Sequence, residues 1–147
     1  MIIDTLHSTY SEDQAVTATA ISENVVQIND AGTVFGESAA ISRNPGAGNE
    51  IPLLIQVTED FATLTSLTIT LETADNAALS TNAVVLASSG AIAVADLVAG
   101  YRPNFTRIFP DGVLSDYVGL RYTVTGSNAT AGKISAAIAA AVNSGGA

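Results

Sequence analysis

Residues that could support catalysis are few and scattered in this chain. The single histidine is His7, close to the N-terminus. A Ser-His-Asp arrangement needs a histidine that a folded shell holds in one orientation, so we interpret His7 as a solvated or interface residue. Cysteine is absent, which excludes a cysteine nucleophile, thiolate metal sites and a disulfide scaffold. The sequence therefore predicts no catalytic residues and no enzyme activity.

Acidic side chains occur in two adjacent pairs, Glu12-Asp13 and Glu59-Asp60. Glycosidase chemistry requires two carboxylates that face each other across a cleft. Because adjacent side chains point apart, we interpret both pairs as solvated turn residues. Residues 29–37 have a weak similarity to a calcium loop, but they lack the alternating acidic ligands that such a loop requires. We predict no metal site and no cofactor.

The charge balance narrows the choice of partners. Fourteen acidic and five basic residues among 147 give a net charge of -9. Nucleic-acid binding depends on Lys and Arg that neutralise phosphates, and an anionic membrane surface also attracts basic segments. Neither nucleic acid nor a membrane is therefore an expected partner. The N-terminal residues lack the basic and apolar regions of a secretory signal, so we expect synthesis and retention in the cytoplasm unless another component carries the protein out.

Hydrophobic residues make up 48% of the chain, and charged residues only 13%. A surface with so few charges is typical of a domain that is partly covered in an assembly. An equally good interpretation is that the apolar excess is mostly alanine, which can stand exposed at little cost.

Alternating apolar and polar residues predict an all-β, antiparallel protein. Leu67, Ile69 and Leu71 alternate with serine, threonine and glutamate, which is typical of a strand with one buried face. Further candidate strands lie at residues 16–21, 25–28, 53–57, 83–87, 104–109 and 118–125. Seven or eight short strands separated by turns favour a sandwich, a jelly roll or a barrel. Short helical turns are expected at most at 74–82 and after Asp96.

Residues 133–142 fit a helix face and a strand face equally well. A hairpin loop from Gly126 to Gly132 would favour the strand. We predict one domain over residues 15–142, with an inserted loop at about 29–50, an N-terminal arm at 1–14 and a disordered tail at 143–147.

Three of the five basic residues lie between Arg102 and Arg121, close to aromatic residues. One interpretation is cross-strand ion pairing on a half-exposed sheet. The other is an arginine-aromatic patch of the kind found at protein interfaces. The candidate interface residues are Ile2, Ile3, Leu6, Tyr10, Phe35, Arg102, Phe105, Arg107, Phe109 and Tyr117.

Short segments spread along the chain are similar in order and spacing to a known family. They are residues 11–20 (SEDQAVTATA), 48–53 (GNEIPL), 71–76 (LETADN), 97–102 (LVAGYR), 120–126 (LRYTVTG) and 129–132 (ATAG). Together they resemble the capsid cement, or decoration, proteins of short-tailed double-stranded-DNA bacteriophages. The extra length at residues 31–44 departs from the family pattern.

The resemblance implies a β jelly roll on the outer surface of the phage capsid, made in the host cytoplasm. It implies contacts with the major capsid protein and assembly as a homo-oligomer, a dimer or a trimer. It also implies a structural role without catalytic residues. The alternative is a jelly-roll binding module for a carbohydrate or a host surface, although tryptophan is absent and only eight residues are aromatic.

Overall fold

The computed structural model describes residues 8–28, 32–33, 35–39, 52–105 and 114–138. The elements are β1 (Thr9–Ala15), β2 (Ala20–Ile21), β3 (Val26–Gln27), β4 (Leu53–Ala74), β5 (Val84–Ala93), a 3-10 helix (Val94–Asp96) and β6 (Tyr117–Ile138). The six strands form one sheet, and all of their pairings are antiparallel. The prediction of an all-β, antiparallel protein is confirmed. The jelly-roll arrangement itself is not confirmed, since the described strands belong to a single sheet.

The long strand β6 lies at the centre of this sheet. β1, β2 and β3 pair along one of its sides, and β4 pairs along the other. β5 adds to the free side of β4, opposite residues 66–73. The segment after the 3-10 helix pairs with the other half of β4, where Gly100 N donates to Val57 O and Val57 N donates to Tyr101 O.

The sheet folds back on itself, so that its two halves face each other. Ser11 in β1 lies opposite Ala136 of β6, yet its hydroxyl is 2.8 Å from the hydroxyl of Tyr122 in the same strand β6. Fourteen residues of straight strand would span about 46 Å, which no tyrosine side chain can bridge. β6 and its partner β4 must therefore bend between these positions, and their register shifts do cluster between Val57 and Ser66.

Two glycines make the bend possible. Gly126 has a φ of +89° and Gly132 a φ of +134°, values that glycine adopts more easily than other residues. A side chain at Gly132 would overlap the ring of Phe61, which packs directly on the glycine α-carbon. The expected hairpin loop between Gly126 and Gly132 was wrong, because both glycines serve a bend inside one continuous strand.

The core lies between the two facing halves. It is built from alternate residues of β4 and β6, which point inward, together with side chains from the segments that cross them. The largest fully buried side chains include Val16, Val57, Leu67, Ile69, Leu97, Leu120, Tyr122 and Ile134. A second layer covers the outer face at one end of the sheet, where the turn at 75–83 buries Leu79 against Gly119.

The N-terminal segment differs from its prediction. Residues 9–15 form β1 and pair with β6, so the expected arm at 1–14 is wrong for this part, whereas residues 1–7 lie outside the described residues. The predicted strands at 16–21 and 25–28 are reduced to the short strands β2 and β3. Polar side chains account for these short pairings, since Gln14, Ser22 and Asn24 hydrogen-bond the backbone around them.

Other elements of the structure also have boundaries that differ from the predicted ones. Residues 133–138 are strand, as predicted, while 139–147 lie outside the described residues. Residues 75–82 form a turn where a short helical turn was expected at 74–82, and the Asn76 side chain holds this turn by accepting hydrogen bonds from Ser80 N and Thr81 N. The 3-10 helix ends at Asp96 instead of beginning there. Within the predicted loop at 29–50, residues 32–33 and 35–39 are exposed.

Candidate interaction groove

A shallow groove runs along the outer face of the sheet where β1, β6 and β4 lie side by side. Its volume is about 330 Å³. Its lining residues are Thr9, Ser11, Glu12, Leu54, Gln56, Thr58, Ser135, Ala136 and Ala137. The floor is low because β6 contributes small residues, whereas Leu54, Gln56 and Glu12 on the flanking strands are larger.

The register of the sheet positions these side chains. Ala137 of β6 lies opposite Leu54 of β4 and Thr9 of β1, and Ser135 lies opposite Gln56. Since side chains alternate between the two faces of a strand, the inward neighbours Ile134 and Ala136 are buried while Ser135 and Ala137 remain accessible.

The chemistry of the groove suits non-covalent contact. Glu12 is the one charged residue in its lining. At its margin, Arg102 Nε donates to Gln56 Oε1 at 3.2 Å, and Ser135 Oγ accepts a hydrogen bond from Asp13 N at 2.9 Å. The groove therefore offers amide, hydroxyl and methyl groups between two walls, together with the one carboxylate of Glu12.

The predicted interface residues fall into three groups. Phe35 is fully exposed in a turn, and Arg102 is exposed beside the groove. Tyr117 is half-buried at the start of β6, opposite Ala74 and Gln27. Tyr10 and Phe105 are buried in the core, so their assignment to an interface was wrong: both pack inward among the apolar side chains of the folded sheet.

The remaining predicted interface residues, Ile2, Ile3, Leu6, Arg107 and Phe109, lie outside the described residues, as does His7. The structure thus brings Arg102 to the groove margin and leaves Phe35 separate from its lining. The small residues of β6 that form the floor were missed, because serine and alanine carry no chemical signal in a sequence.

Arg121 forms an ion pair and a further hydrogen bond on the outer face. Its Nε lies 3.1 and 2.9 Å from the two carboxylate oxygens of Glu72, and its Nη2 donates to Leu79 O at 2.6 Å. Thr70 Oγ1 donates to Glu72 Oε1 at 2.8 Å. Of the two interpretations of the arginine-rich region, cross-strand ion pairing describes Arg121.

The paired acids are bound to other groups. Glu59 forms an ion pair with Lys133 at 2.9 Å, and this hydrogen bond raises the pKa of Lys133. Asp60 Oδ1 accepts a hydrogen bond from Ala99 N at 2.6 Å. Glu59 and Asp60 are solvent-accessible, as expected, but they lie within the strand β4 and not in a turn.

The family of the chain follows from one comparison. The family model Bbp16 matches residues 10–138. The chain belongs to the Bbp16 family. The match runs from the second residue of β1 to the last residue of β6, so the Bbp16 region coincides with the folded sheet and includes the groove. No curated protein matches this Bbp16 chain.

The described residues of this Bbp16 chain contain neither a candidate metal cluster nor a candidate membrane helix. In the described part of the chain, no three His, Asp or Glu side chains lie close enough together to hold a metal ion. Within the same residue ranges, no helix has the length and apolarity needed to cross a membrane.

Proposed function

We propose that the protein is a structural capsid cement protein, which binds the outside of a phage head and stabilises contacts between major capsid subunits. The groove on the outer face of β1, β6 and β4 carries this proposal. Its small side chains lie between two taller walls, an arrangement that suits an extended segment of a partner protein. The resemblance to cement proteins, which spans roughly residues 11–142, supports the same role.

The charge of the chain supports a position outside the capsid. Packaged DNA repels a protein of net charge -9, because an anionic protein cannot replace the counterions of the phosphates. The role uses no catalytic residue, metal or cofactor. The partner is the major capsid protein, which the chain binds on the outer surface of the virion.

A carbohydrate or host-surface binding module is the second candidate. The observation that favours it is the hydrogen-bonding lining of the groove, to which Gln56, Thr58 and Ser135 contribute. The lining contains no aromatic residue, whereas sugar sites usually offer aromatic rings beside polar groups. For this reason we place the cement role first.

Co-sedimentation with expanded capsids of the parent phage, stripped of this protein, tests the proposal. The full chain should pellet with the capsids. Ala137→Phe fills the groove floor and should weaken binding about tenfold or more, as loss of a central interface contact does. Ala18→Phe, at an exposed turn outside the groove, is the matched control and should bind as the unmodified protein does.

The outcomes separate the two candidates. Failure of the unmodified protein to pellet, together with binding on a glycan array, would favour the carbohydrate module. Normal pelleting by a folded Ala137→Phe variant would show that the capsid contact lies elsewhere on the surface. Melting temperatures of both variants within a few degrees of the unmodified protein establish that they are folded.

A further inference from the structure

Two side chains of opposite charge flank the groove on opposite sides. Glu12 of β1 forms part of its lining, and Arg102 lies at the margin beyond β4, where it donates to Gln56. Tyr101, the neighbour of Arg102, pairs with the side of β4 that faces away from β6. Three spacings between neighbouring strands therefore separate Arg102 from β1. At about 4.8 Å each, they place the two backbone segments roughly 14 Å apart.

The two charges also lie at the same level along the strands. Arg102 bonds Gln56, which lies opposite Ser135 of β6. The hydroxyl of Ser135 accepts a hydrogen bond from the backbone of Asp13, the residue after Glu12. An occupant of the groove can therefore meet both charges with residues that are adjacent, or nearly so, in its own sequence.

Neither charge is neutralised within the described part of the chain. Of the three basic residues in that part, Arg121 and Lys133 each form an ion pair, whereas Arg102 donates only from Nε, to the neutral amide of Gln56. The Glu12 carboxylate forms no ion pair or hydrogen bond with the same residue ranges. Both groups can therefore bind a charged partner without giving up an ion pair that the structure describes.

An extended chain lying along the groove would present its side chains to both walls. Successive side chains of a strand point in opposite directions. When such a chain runs over Ser135 and Ala137 with its side chains directed sideways, every second residue points toward β1 and the others point toward β4. The distance between β1 and β4, two strand spacings or about 10 Å, leaves room for one such chain.

We propose that the groove selects an extended segment of a partner protein with a basic residue directed at Glu12 and an acidic residue directed at Arg102, separated by an odd number of positions. The inference rests on the proposed function, since it specifies the segment that the groove would bind. Because both charges are at the surface, they determine selectivity more than affinity. A base and an acid at even spacing would point to the same wall, where one of them would meet a like charge.

Selection from a random peptide library displayed on yeast tests this charge pattern without any capsid. The unmodified protein is the bait, and peptides that also bind Ala137→Phe are removed, so that the remaining peptides depend on the groove floor. Among these, a basic and an acidic residue at a spacing of one or three positions should occur about threefold or more above their frequency in the unselected library. Even spacings should not be enriched.

Two charge reversals make the test sharper. With Glu12→Lys as the bait, an acidic residue should replace the basic one in the selected peptides, and with Arg102→Glu a basic residue should replace the acidic one. Asp96→Lys is the matched control, because it changes the net charge as Glu12→Lys does at an exposed position outside the groove lining. This control should select the original pattern. Melting temperatures within a few degrees of the unmodified protein establish that the variants are folded.

The outcomes are separate from those of the cement role. Recovery of the same peptides by the unmodified protein and both reversal variants would overturn the proposal, and so would the absence of any peptide that Ala137→Phe fails to bind. Co-sedimentation with capsids but no charge pattern would leave the cement role standing and refute this inference. The charge pattern without co-sedimentation would support the selectivity of the groove and refute the capsid as its partner.

Discussion

Replacement of Glu72 by glutamine should reveal the contribution of its pair with Arg121. The Glu72 side chain is 8% exposed and that of Arg121 28%. The Glu72 carboxylate accepts hydrogen bonds from Arg121 Nε and from Thr70 Oγ1. Hydrogen bonds to charged groups contribute about 1.5–3 kcal/mol each, but water can partly solvate Arg121 in the variant. We therefore expect Glu72→Gln to lower the free energy of unfolding by about 2–3 kcal/mol in total.

Thermal unfolding followed by circular dichroism measures the effect. For a chain of this size, each kcal/mol corresponds to about 3–4 °C in Tm, so the variant should melt roughly 6–12 °C lower. Glu59→Gln is the matched control, because Glu59 forms a cross-strand pair of the same 2.9 Å length with Lys133 between the same two strands. That pair is exposed to solvent, and its loss should leave Tm almost unchanged.

A double-mutant cycle with Arg121→Met isolates the interaction of the two side chains. The double variant should be more stable than the sum of the single effects implies, by about 1–3 kcal/mol, because neither partner is then left buried alone. The loss of the contact between Arg121 and Leu79 O cancels in the cycle. Additive single effects, or equal Tm changes for Glu72→Gln and Glu59→Gln, would refute the reasoning that burial makes this pair strong.

Two further predictions concern the core and the bend. Burial raises the pKa of Tyr10 from 10.0 to about 12. Because the folded pKa is the higher one, the neutral phenol of Tyr10 contributes its full stabilisation below pH 10. About 3 kcal/mol of that stabilisation is lost as the pH rises toward 12. The urea midpoint of the unmodified protein should fall as the pH rises from 9 to 12, and that of Tyr10→Phe should fall less steeply. Equal slopes for the two proteins would contradict the assignment of this pH dependence to Tyr10. Gly132→Ala should destabilise the fold by about 1–3 kcal/mol through overlap with Phe61 in addition to its positive φ, whereas Gly100→Ala, with a φ of +90° and open space around it, isolates the conformational cost. Equal urea midpoints for the two alanine variants would exclude the overlap.

The alternation of apolar residues predicted the strands but not their continuity. Residues 53–57 and 66–72 are parts of β4, yet they read as separate strands because the register shifts between Val57 and Ser66 interrupt the period of two. Likewise, Gly126 and Gly132 read as the ends of a loop. A glycine that relieves a bend and a glycine that ends a strand look the same in one sequence.

The candidate site was less predictable than the fold. The groove depends on which residues of β1, β6 and β4 lie side by side, and these strands are separated by long stretches of chain. Buried Tyr10 and Phe105 were taken for interface residues because their surroundings come from distant segments. By contrast, Tyr122 lies in the predicted strand at 118–125, where the alternation of apolar residues is regular, and its side chain is buried.

The central position of β6 constrains the order of events during synthesis. β1 pairs with residues 133–137, and β2 and β3 pair with residues 117–122. The first three strands emerging from a ribosome thus have no partner until the last strand follows them. At about 5–20 residues per second, the roughly 120 residues between β1 and its partner segment take about 6–24 s to appear. β5 is complete at residue 93, so in the later part of this interval it is present while the sheet is still incomplete, and the nascent chain is exposed to pairing with its neighbours on the same messenger RNA.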